Sequence, residues 1–117
     1  MTPRDHKLLR DILENAGVAA RGVLGLSAAN VAADPSLLYK SLYALLIVGE
    51  AAGKLSAEAK ASMPHVPWEE IVATRHFVAH GYDKVEPRTI ISIAEDDLPP
   101  LIDAINAALQ ADADPEE

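Results

Sequence analysis

Apolar residues recur at intervals of three and four through much of the chain, and this periodicity is the feature that most restricts its possible folds. The clearest case is the segment 3–24. Its apolar stripe consists of Leu9, Ile12, Leu13, Ala16, Ala20, Val23 and Leu24. A period near 3.6 places such residues on one face of an α-helix. No segment shows the sustained two-residue alternation that a half-buried strand would require. The pattern therefore predicts a helical protein.

Proline, glycine and capping residues divide the rest of the chain into segments. Asp34-Pro35 is typical of a helix start, with Asp34 as the N-cap, and Ser56 can cap a further short helix. The stretch 26–33 is small and polar enough to be a loop. Helical segments are predicted at 3–24, 35–53, 57–63, 67–81, 87–93 and 98–109.

Short connections between long amphipathic helices imply an all-α fold, an antiparallel helical bundle of four main helices plus short helices. One domain is expected over residues 1–110, followed by an acidic, disordered tail over 111–117 that holds four acids and no base. A core with one Phe and one Trp must be built mainly from aliphatic side chains, which favours helices over sheet. The alternative is a mixed α+β fold with a strand at 89–93.

Composition limits the function classes. The chain has no cysteine, so it can form neither disulfides nor thiolate metal sites. A charged segment followed by an apolar run is lacking at the N-terminus, and the longest apolar run, 44–48, is too short to cross a bilayer, so we expect a cytoplasmic, soluble protein. The net charge of −8 argues against broad, nonspecific nucleic-acid binding. Any nucleic-acid site must therefore be a small local patch.

Candidate chemistry is concentrated in the stretch 75–82, which contains Arg75, His76, His80 and Tyr82. The two histidines are four residues apart and share one flank of a helix, whereas the spacing of Arg75 and His80 permits convergence without forcing it. Imidazole can take and give a proton near neutral pH, and guanidinium matches phosphate oxygens. Together these groups suit phosphodiester cleavage without a metal ion.

Two other interpretations of this stretch remain open. Histidine and arginine on a helix flank are often a solvated face or a capping interaction. The i, i+4 spacing of His76 and His80 is also seen in helical zinc sites. A third ligand is not evident nearby, since His65 or Asp83 could serve only through folding, and we assign no metal site.

The spacing Arg75, four residues, His80, one residue, Tyr82 resembles the motif of the HepT-type subfamily of the HEPN superfamily. Further similar features, in the same order, are Val48-Gly49-Glu50-Ala51, Pro67-Trp68 and Asp97-Leu98-Pro99. The resemblance extends over about residues 8–109. One departure is visible, because members commonly have Asn or Asp after the arginine, where this chain has His76.

The resemblance implies a HEPN-like bundle that forms a homodimer, in which the motif helices of two subunits line a shared cleft. It also implies a metal-independent RNA endonuclease toxin that needs no cofactor, with Arg75 and His80 as catalytic residues. His76, at which the chain departs from the family pattern, is expected to support them by positioning phosphate or Arg75 or by acting as a second acid-base group. The implied partner is a minimal nucleotidyltransferase antitoxin, which would neutralise the toxin by attaching AMP to Tyr82.

Further expectations concern the surroundings of the motif. Glu50 should pair with either Lys54 or Arg75. The helix 35–53 is apolar on more than one face, which favours packing either centrally in the bundle or against a second subunit. Gly81 permits a left-handed turn that would expose Tyr82. Two alternatives to a ribonuclease remain. One is a noncatalytic HEPN module that binds a nucleotidyltransferase or a nucleotide, and the other is a structural helical dimer.

Overall fold

The computed structural model describes residues 1–112, which form helices and no strand. Within that range there are seven α-helices: α1 (Pro3–Gly22), α2 (Ala28–Ala32), α3 (Pro35–Lys54), α4 (Ala57–Ala61), α5 (Trp68–Gly81), α6 (Pro87–Ser92) and α7 (Leu98–Ala111). The all-α prediction is confirmed. The alternative strand at 89–93 is wrong, because most of that segment belongs to α6.

Local capping explains where several helices begin. The Thr2 hydroxyl accepts a hydrogen bond from the Asp5 amide, and the Asp5 carboxylate accepts one from the Thr2 amide, which completes a capping box. The predicted caps at Asp34 and Ser56 are confirmed, since their side chains accept bonds from the amides three residues on. Pro35 occupies the first turn of α3, where its missing amide hydrogen costs nothing.

The prediction of a loop at 26–33 is wrong. Ser27 caps α2 through reciprocal hydrogen bonds with Asn30, and Val31 of this short helix is fully buried. Small polar residues that favour loops are also those that favour helix caps, and the buried valine decides between the two.

The two last predicted segments are joined rather than separate. A π-helical turn, Ile93–Asp97, connects α6 to α7, and the Leu98 amide donates to the Ile93 carbonyl five residues back. Pro99 and Pro100 have no amide hydrogen, so the ordinary i−4 bonds are not available at those positions. The wider turn is consistent with this loss.

The core lies where α1 packs against α3 and α7, and α3 packs against both α1 and α5. Its most deeply buried side chains are Leu9, Ile12, Val23, Val31, Met63, Ile90 and Ile105. Gly49 lies against Arg75, and Gly53 lies beside Val72, so α3 and α5 run antiparallel. No helix in residues 1–112 has the length and apolar character needed to span a membrane.

Asp5 is a buried charge that ties α1 to the start of α4. It is 2% exposed, and it accepts hydrogen bonds from the Ser56 amide (3.0 Å) and hydroxyl (2.7 Å). Burial by itself would raise the pKa of Asp5, but the hydrogen bonds involving Ser56 and Thr2 outweigh it and lower the pKa to about 2. The carboxylate is therefore stabilised in its charged form.

At the C-terminal end, Ala111 is the last residue of α7, and the Asp112 carboxylate lies 2.7 Å from Nε2 of His6. The predicted acidic tail began at 111. Its remaining residues, 113–117, lie outside the described part of the chain.

Candidate active site

The motif helix α5 approaches α3 so closely at one point that only glycine fits. A Cβ built on Gly49 would lie 3.1 Å from both the Cα and the N of Arg75, and closer still to its Cβ. Ordinary contacts between such atoms need about 3.5–4.0 Å. Gly49 therefore sets the distance between the two helices at the position of Arg75. The sequence pattern contained Gly49 but gave it no role.

Arg75 extends from this contact toward Glu50 on α3. Its Nε lies 3.0 Å from Oε2 of Glu50, although the N–H is not aimed well enough at the carboxylate to form a hydrogen bond. Nζ of Lys54 lies 3.5 Å from Oε1 of the same carboxylate. Both expected partners of Glu50 are thus present. Among residues 1–112, Glu50 is the one carboxylate that pairs with Arg75.

His76 and His80 lie side by side on the exposed surface of α5. Their ring centroids are 4.5 Å apart, with the ring planes tilted by 58°. Neither ring has a hydrogen-bond partner among the described residues. Each residue turns a helix by about 100°, so His76 lies between Arg75 and His80 around the axis. The structure brings the two histidines together, and in residues 1–112 Arg75 forms no hydrogen bond with either ring.

Tyr82 is 65% exposed, as expected, but not for the reason predicted. Gly81 has a φ of −138°, so the expectation of a left-handed turn there is wrong. The chain instead continues into a short 3₁₀ turn, Tyr82–Lys84, which begins where α5 ends. The tyrosine hydroxyl is accessible two residues beyond His80.

Exposed aromatic side chains are present on both helices. Tyr39 and Tyr43 on α3 are 67% and 65% exposed, and Phe77 on α5 is 48% exposed. The sequence predicts that α3 is apolar on more than one face. Its Val48 is buried in the core, whereas the two tyrosines lie at the surface.

Other candidate residues have different surroundings. Trp68 is buried, so it is a core residue of α5. Within residues 1–112, no three potential metal-ligating side chains come close enough together to hold an ion. A cavity of about 280 Å3 lies against the other face of α5, near Glu70 and Thr74, and neither histidine of the motif lines it.

The charge near the motif differs from that of the whole chain. Between residues 75 and 88, three basic side chains (Arg75, Lys84 and Arg88) stand against two acids, in a chain whose net charge is −8. Lys84 and Arg88 are both exposed. This local excess is compatible with binding a few phosphates near Tyr82.

Comparison with known proteins identifies a matching family. The model of the family described as "Ribonuclease HepT-like" matches residues 9–108. The chain is 29% identical over 100 residues to a Methanocaldococcus jannaschii protein named "Putative RNase MJ1380", covering 85% of this chain and 92% of that protein. It is 27% identical over 99 residues to "Probable ribonuclease HepT" of Thermococcus cleftensis, covering 84% and 90%. No solved structure matches the chain.

Proposed function

The chain belongs to the family of HepT-like ribonucleases, and on this premise we propose that it is a metal-independent RNA endonuclease acting as the toxin of a toxin–antitoxin pair. The observation that carries the proposal is the arrangement on α5. Arg75 lies beside Glu50, which holds it near Nε, while His76 and His80 are exposed on the adjoining flank. These are the groups that a phosphodiester-cleaving site requires.

In the proposed reaction, the ribose 2′-hydroxyl attacks the adjacent phosphorus atom and the bond to the 5′-oxygen breaks. The products are a 2′,3′-cyclic phosphate and a 5′-hydroxyl. His80 transfers a proton to or from one of the reacting oxygens. Arg75 binds the nonbridging oxygens and stabilises the charge that they gain in the transition state. Because the nucleophile belongs to the RNA itself, this route needs no metal-bound water.

We further propose that the protein is a homodimer, formed through a surface that includes the exposed side chains of Tyr39 and Tyr43 on α3. Large exposed aromatic side chains are typical of interfaces. A twofold axis near α5 would bring two copies of the motif together and would double the local positive charge. This would help an acidic protein to bind RNA at one place.

The proposed antitoxin is a minimal nucleotidyltransferase that attaches AMP to the exposed hydroxyl of Tyr82. The added phosphodiester would carry a negative charge two residues from His80, where it would compete with the RNA phosphate for Arg75. The adenosine would also occupy part of the cleft. Since the substrate is RNA, we expect the pair to act in the cytoplasm.

The test is cleavage of RNA by the purified protein in the presence of EDTA. His80→Ala should lower the rate by about 10²–10⁴-fold without loss of helicity, because the side chain is exposed. Arg75→Lys should also cleave more slowly than the wild type, since the point charge of an ammonium group cannot replace the planar guanidinium group. His65→Ala, which changes an exposed histidine outside the motif, is the matched control and should cleave normally.

Two results would contradict the proposal. Activity that is lost in EDTA and returns with a divalent ion would indicate a metal-dependent site. Binding of a nucleotidyltransferase without any cleavage of RNA would favour the noncatalytic module, which the acidic net charge of the chain already makes the second candidate.

A further inference from the structure

Cleavage by a 2′-hydroxyl requires two proton transfers, and the proposed function assigns only one histidine of each subunit, His80, to them. One proton must leave the 2′-oxygen as it bonds to phosphorus, and another must reach the 5′-oxygen as its bond to phosphorus breaks. The structure holds a second imidazole, that of His76, with its ring centroid 4.5 Å from that of His80. This second group has no other function in the fold, because it is exposed and outside the core.

We propose that His76 is a catalytic residue in its own right and that His76 and His80 divide the two proton transfers between them. This inference rests on the proposed ribonuclease function. The neutral imidazole of one histidine takes the proton of the 2′-hydroxyl. The protonated imidazole of the other gives its proton to the 5′-oxygen. The pair as a whole neither gains nor loses a proton, so the reaction balances without a metal ion or another reactant.

The surroundings of the pair support this division of labour. Neither imidazole is bonded to a carboxylate or a backbone group within residues 1–112, so the ring nitrogens of both can exchange protons with a substrate. His76 precedes His80 by one helical turn and directly follows Arg75 in the sequence, which places it next to the proposed phosphate-binding group. On the same flank, one turn before His76, is Ala73, which is too small to hinder the approach of RNA.

The other histidines of the chain do not offer this arrangement. His6 is on α1, where its ring contacts Asp112 at 2.7 Å. His65 is in the connection before α5 and lines the cavity on the other face of that helix. In residues 1–112, His76 and His80 form the one pair of imidazoles that are neighbours and exposed together.

The experiment compares His76→Asn and His80→Asn, which keep a polar side chain but cannot transfer a proton, with His65→Asn as the matched control. Single-turnover cleavage is measured on an oligoribonucleotide, and on the same oligomer with sulfur replacing the 5′-oxygen at the mapped cleavage site. A sulfur leaving group departs as a thiolate and needs no proton. Both motif variants should be about 10²–10⁴-fold slower on the oxygen substrate. Only one of them, the variant that lacks the acid, should regain most of its rate on the sulfur substrate.

The variant that stays slow on the sulfur substrate should lack the base. A second measurement distinguishes loss of the base from misplacement of Arg75. When the same histidine is replaced by alanine, added imidazole should restore cleavage in proportion to its concentration. Binding of a 2′-O-methyl oligomer, which cannot be cleaved, should match that of the wild type for all variants.

Several outcomes would overturn the inference. Normal cleavage by His76→Asn would reject it while leaving the proposed ribonuclease function intact, provided that His80→Asn is slow. Recovery of both variants on the sulfur substrate, or of neither, would reject a division of the two transfers. If His76 is the histidine tested with imidazole, a lack of rescue together with weakened oligomer binding would make it a positioning residue. Absence of cleavage by the wild type would reject both the inference and the proposed function.

Discussion

Replacing Gly49 with alanine should disturb the candidate site without replacing any residue that carries its chemistry. The new methyl group would lie 3.1 Å from Cα and N of Arg75, and these are backbone atoms that no change of rotamer can move away. The tightest contact would be with the Cβ of Arg75, whose position is also fixed by the backbone. To regain an ordinary separation of about 3.5–4.0 Å, α5 must shift by roughly 1 Å or more relative to α3.

The expected loss of stability follows from two opposing effects. Overpacking a well-filled contact costs about 1–3 kcal/mol. Alanine in place of glycine within a helix gains about 0.5–1 kcal/mol. The overlap with a Cβ that cannot move away places the cost near the upper end of that range, so the free energy of unfolding should fall by about 2 kcal/mol. Cleavage should fall further than this loss suggests, because a displacement of about 1 Å at a catalytic group can cost 10²-fold in rate.

Gly53 provides a matched control on the same helix and against the same neighbour. A Cβ there would lie 3.9 Å from both γ-carbons of Val72, which is an ordinary contact. Gly53→Ala should therefore raise the free energy of unfolding by about 0.5–1 kcal/mol and leave cleavage unchanged. Urea denaturation followed by the fluorescence of Trp68, the single and buried tryptophan, measures both variants, at one protein concentration because dimerisation would contribute to stability.

The reasoning fails if Gly49→Ala is as stable as Gly53→Ala. It also fails, as far as the site is concerned, if Gly49→Ala loses stability but retains the wild-type rate of cleavage. The first result would mean that the two helices separate freely, and the second that the position of Arg75 is not set by the contact.

Four further predictions concern other contacts. Glu50→Gln should change the free energy of unfolding by less than about 1 kcal/mol. It should nevertheless slow RNA cleavage more than Lys54→Gln does, because Glu50 is the residue of these two that pairs with Arg75. Tyr82→Phe should cleave RNA normally but resist the antitoxin, and intact-mass measurement should show AMP added to the wild type alone. Tyr43→Glu should shift the protein from dimer to monomer in light scattering, and an unchanged mass would place the interface elsewhere. Asp5 has a pKa of about 2, below the ordinary 3.8, so its charge adds stability that is fully present above about pH 4 and is lost as the pH falls toward 2. The free energy of unfolding of Asp5→Asn should therefore be about 2 kcal/mol lower than that of the wild type at pH 7. Urea denaturation between pH 3 and 7 should show this difference between the two proteins becoming smaller as the pH falls.

Most of the secondary structure could be predicted from the sequence because it depends on neighbours a few residues apart. Helical periodicity predicted α1, and the caps at Asp34 and Ser56 predicted where α3 and α4 begin. The errors arose where a local signal has two meanings. Small polar residues at 26–33 suggested a loop, but Ser27 and Asn30 cap a helix. A glycine after α5 suggested a left-handed turn, but Gly81 keeps a negative φ.

The candidate site was predictable as a set of residues and not as an arrangement. The spacing within 75–82 singled out Arg75, His76, His80 and Tyr82, because residues four apart share a helix flank. The sequence by itself therefore determined the helices and the chemical groups they carry. The tertiary structure decided that Gly49 meets Arg75, that Glu50 pairs with Arg75, and that the tyrosines of α3 remain exposed. Those contacts join residues more than twenty positions apart on α3 and α5, and their geometry follows from how the two helices pack, which no local pattern encodes.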